Sequence, residues 1–317
     1  MPSTLELANV LNAAARIDPV FLDTPLASAR SLDAALGCDV LAKVETANPI
    51  GSFKGRGSEL FAATALRPAE AVVCASAGNF GQGLAWAAAK RGHRCTVFVA
   101  ETANRLKVDA MRRFGAEVCV AGADFDAAKD AARRHAADRG LRYVEDGAES
   151  AIAEGAGTIG LELAAAAEFD VIVVQLGNGA LLAGVGVALR HAAPAAQIVA
   201  VVAANAPAMK HSIEAGHAVE TRHADTIADG IAVRVPIAAT LPLLRDCCDE
   251  VVAVSEEQIF GAMQLIHRHL DLIVEPAGAA GLAAIVAEPA RYAGRRVATI
   301  LCGANISLGL RELLLQA

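Results

Sequence analysis

Asn48-Pro49-Ile50-Gly51-Ser52-Phe53-Lys54-Gly55-Arg56-Gly57-Ser58 places one lysine where a loop rich in proline and glycine meets an apolar segment. Burial of a lysine disfavours its ammonium form. A neutral amine attacks an aldehyde and forms a Schiff base. A solvated lysine at a loop–helix junction is the plain alternative, and for a lysine taken alone it is the better one.

Outward from this run, short apolar runs alternate with alanine-rich stretches. Strand-like runs fall at 40–44, 71–76, 95–100, 117–121, 142–144, 171–176, 198–203, 250–254 and 297–302. Helical stretches such as 83–90, 104–114 and 125–138 lie between them. Continuous apolar strands alternating with helices predict parallel sheets covered on both faces. One sheet of nine strands would be unusually wide, so the expected fold is α/β with two sheets. Gly115, after Phe114, marks a helix end before the next strand. No low-complexity linker or internal repeat divides the chain.

The 317 residues suffice for one large or two mid-sized cores. The 28 basic and 35 acidic side chains leave a net charge of −7 with no basic block, which argues against nucleic acid as a partner. No apolar run reads as a membrane span. Met1-Pro2-Ser3-Thr4-Leu5-Glu6 lacks a basic start and an apolar core, so no signal peptide is expected. Seven cysteines, Cys38, Cys74, Cys95, Cys119, Cys247, Cys248 and Cys302, show no C-x-x-C spacing. They read as buried, reduced thiols of a cytoplasmic protein. The adjacent Cys247 and Cys248 read as small buried apolar residues rather than a redox switch.

Five further runs carry chemistry. Val171-Ile172-Val173-Val174-Gln175-Leu176 ends a buried strand, and Gly177-Asn178-Gly179-Ala180-Leu181 opens a helix. Free N–H groups at a helix start bind phosphate, and glycine lets the backbone approach it. Taken alone, this is a plain strand-to-helix junction. Ser76-Ala77-Gly78-Asn79-Phe80-Gly81-Gln82-Gly83 also lies between strand and helix. Its hydroxyl, amide and N–H groups suit a carboxylate, and a capping turn explains them equally. Val297-Ala298-Thr299-Ile300-Leu301-Cys302-Gly303-Ala304-Asn305 is a buried strand entering a glycine turn, with Cys302 as a core cysteine. Thr226-Ile227-Ala228-Asp229-Gly230-Ile231-Ala232-Val233 and Glu275-Pro276-Ala277-Gly278-Ala279-Ala280-Gly281 read locally as loop–helix junctions.

Together these runs resemble the pyridoxal-phosphate enzymes of the tryptophan synthase β-like family, in the threonine dehydratase and serine racemase branch. The lysine run follows that family's N-P-x-G-S-F-K-x-R-G pattern, and the resemblance covers about 24–305. It implies two domains, each a mostly parallel twisted sheet covered by helices. Residues 1–66 and 148–317 would form a large cofactor-binding domain, and 67–147 a small substrate-loop domain. It implies pyridoxal 5'-phosphate as cofactor, with the Schiff base on Lys54 and Phe53 beside it. The phosphate would lie on Gly177, Asn178, Gly179, Ala180 and Leu181. Asn79 would meet the ring's 3-oxygen, Gly230 the ring face, Glu275 the ring edge or reacting centre, and Cys302 the ring nitrogen. Ser76, Ala77, Gly78, Asn79 and Phe80 would hold the substrate.

Departures from the family pattern shape the expected chemistry. Asn178 and Ala180 replace two of four successive glycines. Cys302 replaces Ser or Thr; a thiol is a weak partner, so the ring nitrogen stays unprotonated, which suits loss of a β-hydroxyl. Related serine racemases carry a serine at position 77, and Ala77 has no proton to give. Phe80 replaces the usual His; its ring either adds apolar surface for a bulky substrate such as 3-phenylserine, or points into the core. The stretch 202–210 lacks the carboxylate a divalent ion needs, so no metal is expected there. His267 and His269 flank Arg268 and do not share a helix face.

The resemblance thus implies a lyase that dehydrates and deaminates a 3-hydroxy α-amino acid, with Lys54 removing the Cα proton. A homodimer is implied as well. The other readings are β-replacement, as in cysteine synthases, and amino-acid racemisation. A non-enzymatic amino-acid-binding protein is a further reading, against which the intact Lys54 argues.

Overall fold

The computed structural model describes residues 5–316; residues 1–4 of the N-terminal run read for a signal peptide lie outside them. Ten strands among the described residues form two sheets. They are β1 Leu26–Ala27, β2 Asp39–Val44, β3 Val72–Ala75, β4 Cys95–Val99, β5 Glu117–Val120, β6 Arg142–Tyr143, β7 Val171–Gln175, β8 Gln197–Ala203, β9 Glu250–Val254 and β10 Arg296–Leu301. The six-stranded sheet has the order β1-β2-β10-β7-β8-β9 and the four-stranded sheet β5-β4-β3-β6. Every pairing is parallel except β1 on β2.

The alternation along each strand explains the layers. Ile172, Val174, Ile198 and Ala200 face one apolar cluster, and Val171, Val173, Val199 and Val201 face another. Successive side chains of a strand point to opposite faces, so a strand buried on both faces must be apolar throughout. This is why β7 and β8 stand out in the sequence. β1 was not foreseen. At two residues it is too short to show a period, and it forms by pairing Leu26 with Lys43 and Ala27 with Ala42 on the free edge of β2.

β2 and β10 are far apart in sequence yet adjacent, with Val297 opposite both Val40 and Val171. Between them the chain forms the helix Lys54–Thr64, builds the four-stranded sheet, and returns through the helix Ser150–Ala166. These two helices touch backbone to backbone. A Cβ on Gly57 would stand 2.3 Å from the Ile152 carbonyl oxygen, and one on Gly155 2.6 Å from that of Arg56.

A closed network of charges lies beside this contact. Arg56 is 0% exposed. Its Nε and Nη2 donate to the two oxygens of Glu45 at 2.8 Å each. Nη2 also donates to Glu162 Oε2 at 2.8 Å, and Nη1 to Thr158 Oγ1 at 2.9 Å. Lys43 Nζ completes the set, 2.7 Å from Glu162 Oε2. Against burial, Glu45 and Glu162 hold the guanidinium charged. Against burial likewise, Arg56 and Lys43 hold Glu162 below the usual carboxylate range.

All seven cysteines are free and six are buried; Cys119 is only half-buried, contrary to expectation. Burial pushes the Cys247 thiol to about 12 and Cys248 to about 11. Among the described residues, no helix is long and apolar enough to cross a membrane.

Candidate active site

Parallel strands present all their C-terminal ends at one edge of a sheet, where ligands of open α/β folds bind. The loops after β2, β7 and β10 leave that edge of the six-stranded sheet, and the loop after β3 leaves the corresponding edge of the four-stranded one. All four meet in one cleft of about 910 Å³. Phe53, Lys54, Ser76, Ala77, Gly78, Asn79, Phe80, Gly177, Asn178, Gly179, Ala180, Leu181, Gly230, Glu275 and Cys302 all line it.

Lys54 is the first residue of its helix, and its loop is stitched to the loop after β10. Phe53 N–H donates to the Cys302 carbonyl at 3.0 Å, and Ala304 N–H to that of Gly51 at 2.9 Å. Lys54 and Cys302 are thereby fixed relative to each other. Lys54 is half-buried, with Nζ 4.6 Å from the centre of the Phe53 ring. It is not an unpartnered lysine in an apolar pocket, because Asp146 Oδ2 lies 2.5 Å from Nζ.

Glu275 sits opposite, 1% exposed. Its Oε1 accepts from Asn79 Nδ2 at 2.5 Å, and Asn79 Oδ1 accepts from Asn305 Nδ2 at 2.8 Å. Oε2 has no hydrogen-bond partner; the Lys107 ammonium is 3.7 Å away, beyond hydrogen-bond reach. Burial pushes the Glu275 carboxyl up, and Lys107 offsets this in part. Lys107 Nζ is 2.6 Å from Asp229 Oδ2.

The helix Ala180–Ala192 opens into the cleft. Its N-cap, Gly179, has φ +100°, and no side chain caps it, so its first N–H groups are left to a ligand. A side chain at Gly179 would adopt that φ with strain and meet Leu244 at 2.7 Å. A Cβ on Gly177 would lie 3.0 Å from the Gly230 oxygen, so these two loops pack together. Cys302 Sγ donates to the Ala277 carbonyl at 3.7 Å, and burial raises the thiol so that it keeps its proton.

Two residues of the loop that line the cleft also make contacts within the protein. Ser76 Oγ accepts from the N–H groups of Gly78 at 3.3 Å and Gly81 at 3.1 Å, so its hydroxyl holds the turn. Phe80 is 5% exposed and belongs to the main apolar core. The ring is not a free apolar wall for a bulky substrate.

Sequence reasoning missed Lys107, Asp146, Asp229 and Asn305. For Lys107 a signal existed: it shares the buried face of the helix Arg105–Arg113 with Val108 and Met111. Asp146 gave none, since it meets Lys54 across 92 positions of sequence.

An uncapped helix start suits a phosphate, the Lys54 amine an aldehyde, and the buried, half-satisfied Glu275 a polar group arriving from outside. These residues fit pyridoxal phosphate. The comparisons agree. The chain is 37% identical to an L-threonine ammonia-lyase of Geobacter sulfurreducens, over 90% of this chain and 72% of that protein. It is 34% identical to a putative threonine dehydratase of Sinorhizobium fredii, over 98% and 95%. The structure of maize serine racemase superposes with a TM-score of 0.90 at 28% identity, covering 99% of this chain and 98% of that one. Residues 17–303 match the family described as pyridoxal-phosphate dependent enzyme, and a match over nearly the whole cleft-forming fold means that the chain belongs to that family.

Proposed function

We propose that this chain is a lyase that converts a 3-hydroxy α-amino acid, such as threonine or serine, into a 2-oxo acid and ammonia. The observation that carries this is the Lys54 amine in a cleft it shares with the 76–80 loop, whose position 77 is an alanine with no proton to give. The similarity to a threonine ammonia-lyase supports it.

Bound pyridoxal phosphate supplies an aldehyde for the substrate amine and a ring that spreads the electrons of a broken Cα–H bond. Lys54 Nζ is the base that takes the Cα proton. The open N–H groups of Ala180, Leu181 and their neighbours hold the phosphate, with Gly177, Asn178 and Gly179 as the turn. Asn79 is fixed between Glu275 and Asn305 and would present its amide to the ring oxygen. Gly230, in the same cleft, would leave the ring face clear of a side chain. Cys302 keeps its proton and places no carboxylate at the ring nitrogen, which favours elimination over long-lived carbanion chemistry. The loop from Ser76 to Phe80 offers backbone N–H groups to the substrate carboxylate.

The segment 67–147 contains all of the four-stranded sheet, which supports reading it as a small domain inserted between 1–66 and 148–317. A cytoplasmic homodimer completes the proposal, and light scattering of the purified protein tests the dimer.

Lys54→Ala is expected to abolish release of 2-oxo acid from threonine and serine, assayed without an added nucleophile. Turnover near that of the wild type in a folded, cofactor-loaded variant would sink the proposal. Recovered L-serine should show no D-isomer; D-serine forming as fast as keto acid would favour the racemase reading. With Phe80 buried, phenylserine should not outcompete threonine in kcat/KM.

A further inference from the structure

Asp146 lies in the turn after β6, which ends at Tyr143, and points its carboxylate at Lys54, with Oδ2 2.5 Å from Nζ. Its place is fixed from the other side. Gly147, with φ +87°, packs on the phosphate loop so closely that a Cβ would stand 2.6 Å from the Asn178 carbonyl oxygen. Asp146 Oδ1 is buried and has no hydrogen-bond partner. A carboxylate with one oxygen on the lysine and the other bare is not a saturated structural ion pair like Glu45 on Arg56. The chemistry described above makes no use of it.

We propose that Asp146 is a positioning residue for Lys54: it holds the ammonium formed when Lys54 takes the Cα proton, and so delays return of that proton to carbon while the hydroxyl leaves. The proposal rests on the reading of Lys54 as the base. In the step, the substrate Cα–H bond breaks and its electron pair stays with the substrate. The proton forms a new N–H bond on Nζ. Asp146 Oδ2 accepts a charge-assisted hydrogen bond from that ammonium, and no proton passes to the carboxylate; the β-hydroxyl leaves with its bonding electron pair and takes a proton from solvent, so that water is released. Return of the proton from Nζ goes to the same face of Cα and regenerates the substrate, with a solvent hydrogen where Nζ has exchanged; its retention on Nζ commits the substrate to elimination.

The experiment compares wild type with D146N, D146A and D146E, each checked for folding by circular dichroism. The first readout uses cofactor-free protein: the rate of Lys54 acylation by an amine reagent, followed by peptide mass spectrometry at one neutral pH. A carboxylate that holds the ammonium protects it, so D146A should be labelled about tenfold faster, and D146E should restore protection. The second readout uses loaded enzyme in deuterated water: deuterium at Cα of unreacted substrate relative to 2-oxo acid formed. D146N should raise this ratio about tenfold, which is about 1.4 kcal/mol. Unchanged labelling and an unchanged ratio in folded variants overturn the proposal. If Lys54→Ala keeps its turnover, the reading of Lys54 falls as well; if that variant is dead while the Asp146 variants behave as wild type, only the role of Asp146 falls.

Discussion

Two buried charge networks flank Lys54, and they are built differently. Around Arg56 every nitrogen of the guanidinium meets an oxygen of Glu45, Glu162, Thr158 or Thr24. Around Glu275 the count does not close: Asn79 serves one oxygen, and Lys107 turns to Asp229 and leaves the other bare. A buried polar group without a partner costs free energy, so a fold keeps one where something else arrives to complete it. The saturated network braces the lysine helix, and the open one lines the cleft.

Three substitutions test that contrast. The largest effect belongs to Arg56→Met, which leaves Glu45 fully buried without its cation and Glu162 with Lys43 alone. It should cost about 3–5 kcal/mol in urea unfolding of the cofactor-free protein. A loss under about 1 kcal/mol would mean that the network does not brace the helix. Next is Glu162→Gln, expected to cost about 1.5–3 kcal/mol at neutral pH, as for a hydrogen bond to a charged group. Glu162 is held below its ordinary value, so its contribution is present above about pH 4.3, the unfolded carboxylate value. That contribution fades as pH falls through the folded value, and the variant should lose the corresponding slope. The smallest effect, with the opposite sign, belongs to Glu275→Gln. Burial holds Glu275 above its ordinary value, so its contribution is full below about pH 4.3 and lost as pH rises through the folded value. The variant should therefore lose less at neutral pH than at acid pH. A pH slope like that of Glu162 would erase the contrast between the two networks.

Much of this was legible in the sequence, for a physical reason. Strands buried on both faces must be apolar along their length, and all nine apolar runs became strands. The two-residue β1 carries no such mark. The cleft loops were legible because glycine, serine and asparagine turns between strand and helix reflect local backbone needs. What local pattern cannot show is which charges meet. Lys107 finds Asp229 across 122 positions, and Lys54 finds Asp146 across 92, through topology alone. Phe80 was ambiguous for a related reason, since one residue at a helix start can face the core or the cleft, and packing decides.

The pairing of β2 with β10 has a consequence for how the protein comes into being. The strand that precedes the lysine, β2 Asp39–Val44, leaves the ribosome long before its central neighbour in the sheet, β10 Arg296–Leu301. Until residues 296–301 emerge, β2 has no β10 to lie against, and Phe53 has no Cys302 carbonyl to bond. The four-stranded sheet, assembled from β3 to β6, has all its strands much earlier. Contacts between such distant segments form slowly. All the strands of the smaller sheet are therefore available while the larger one is incomplete, and the lysine loop gains its Cys302 partner only after residue 302 has been made.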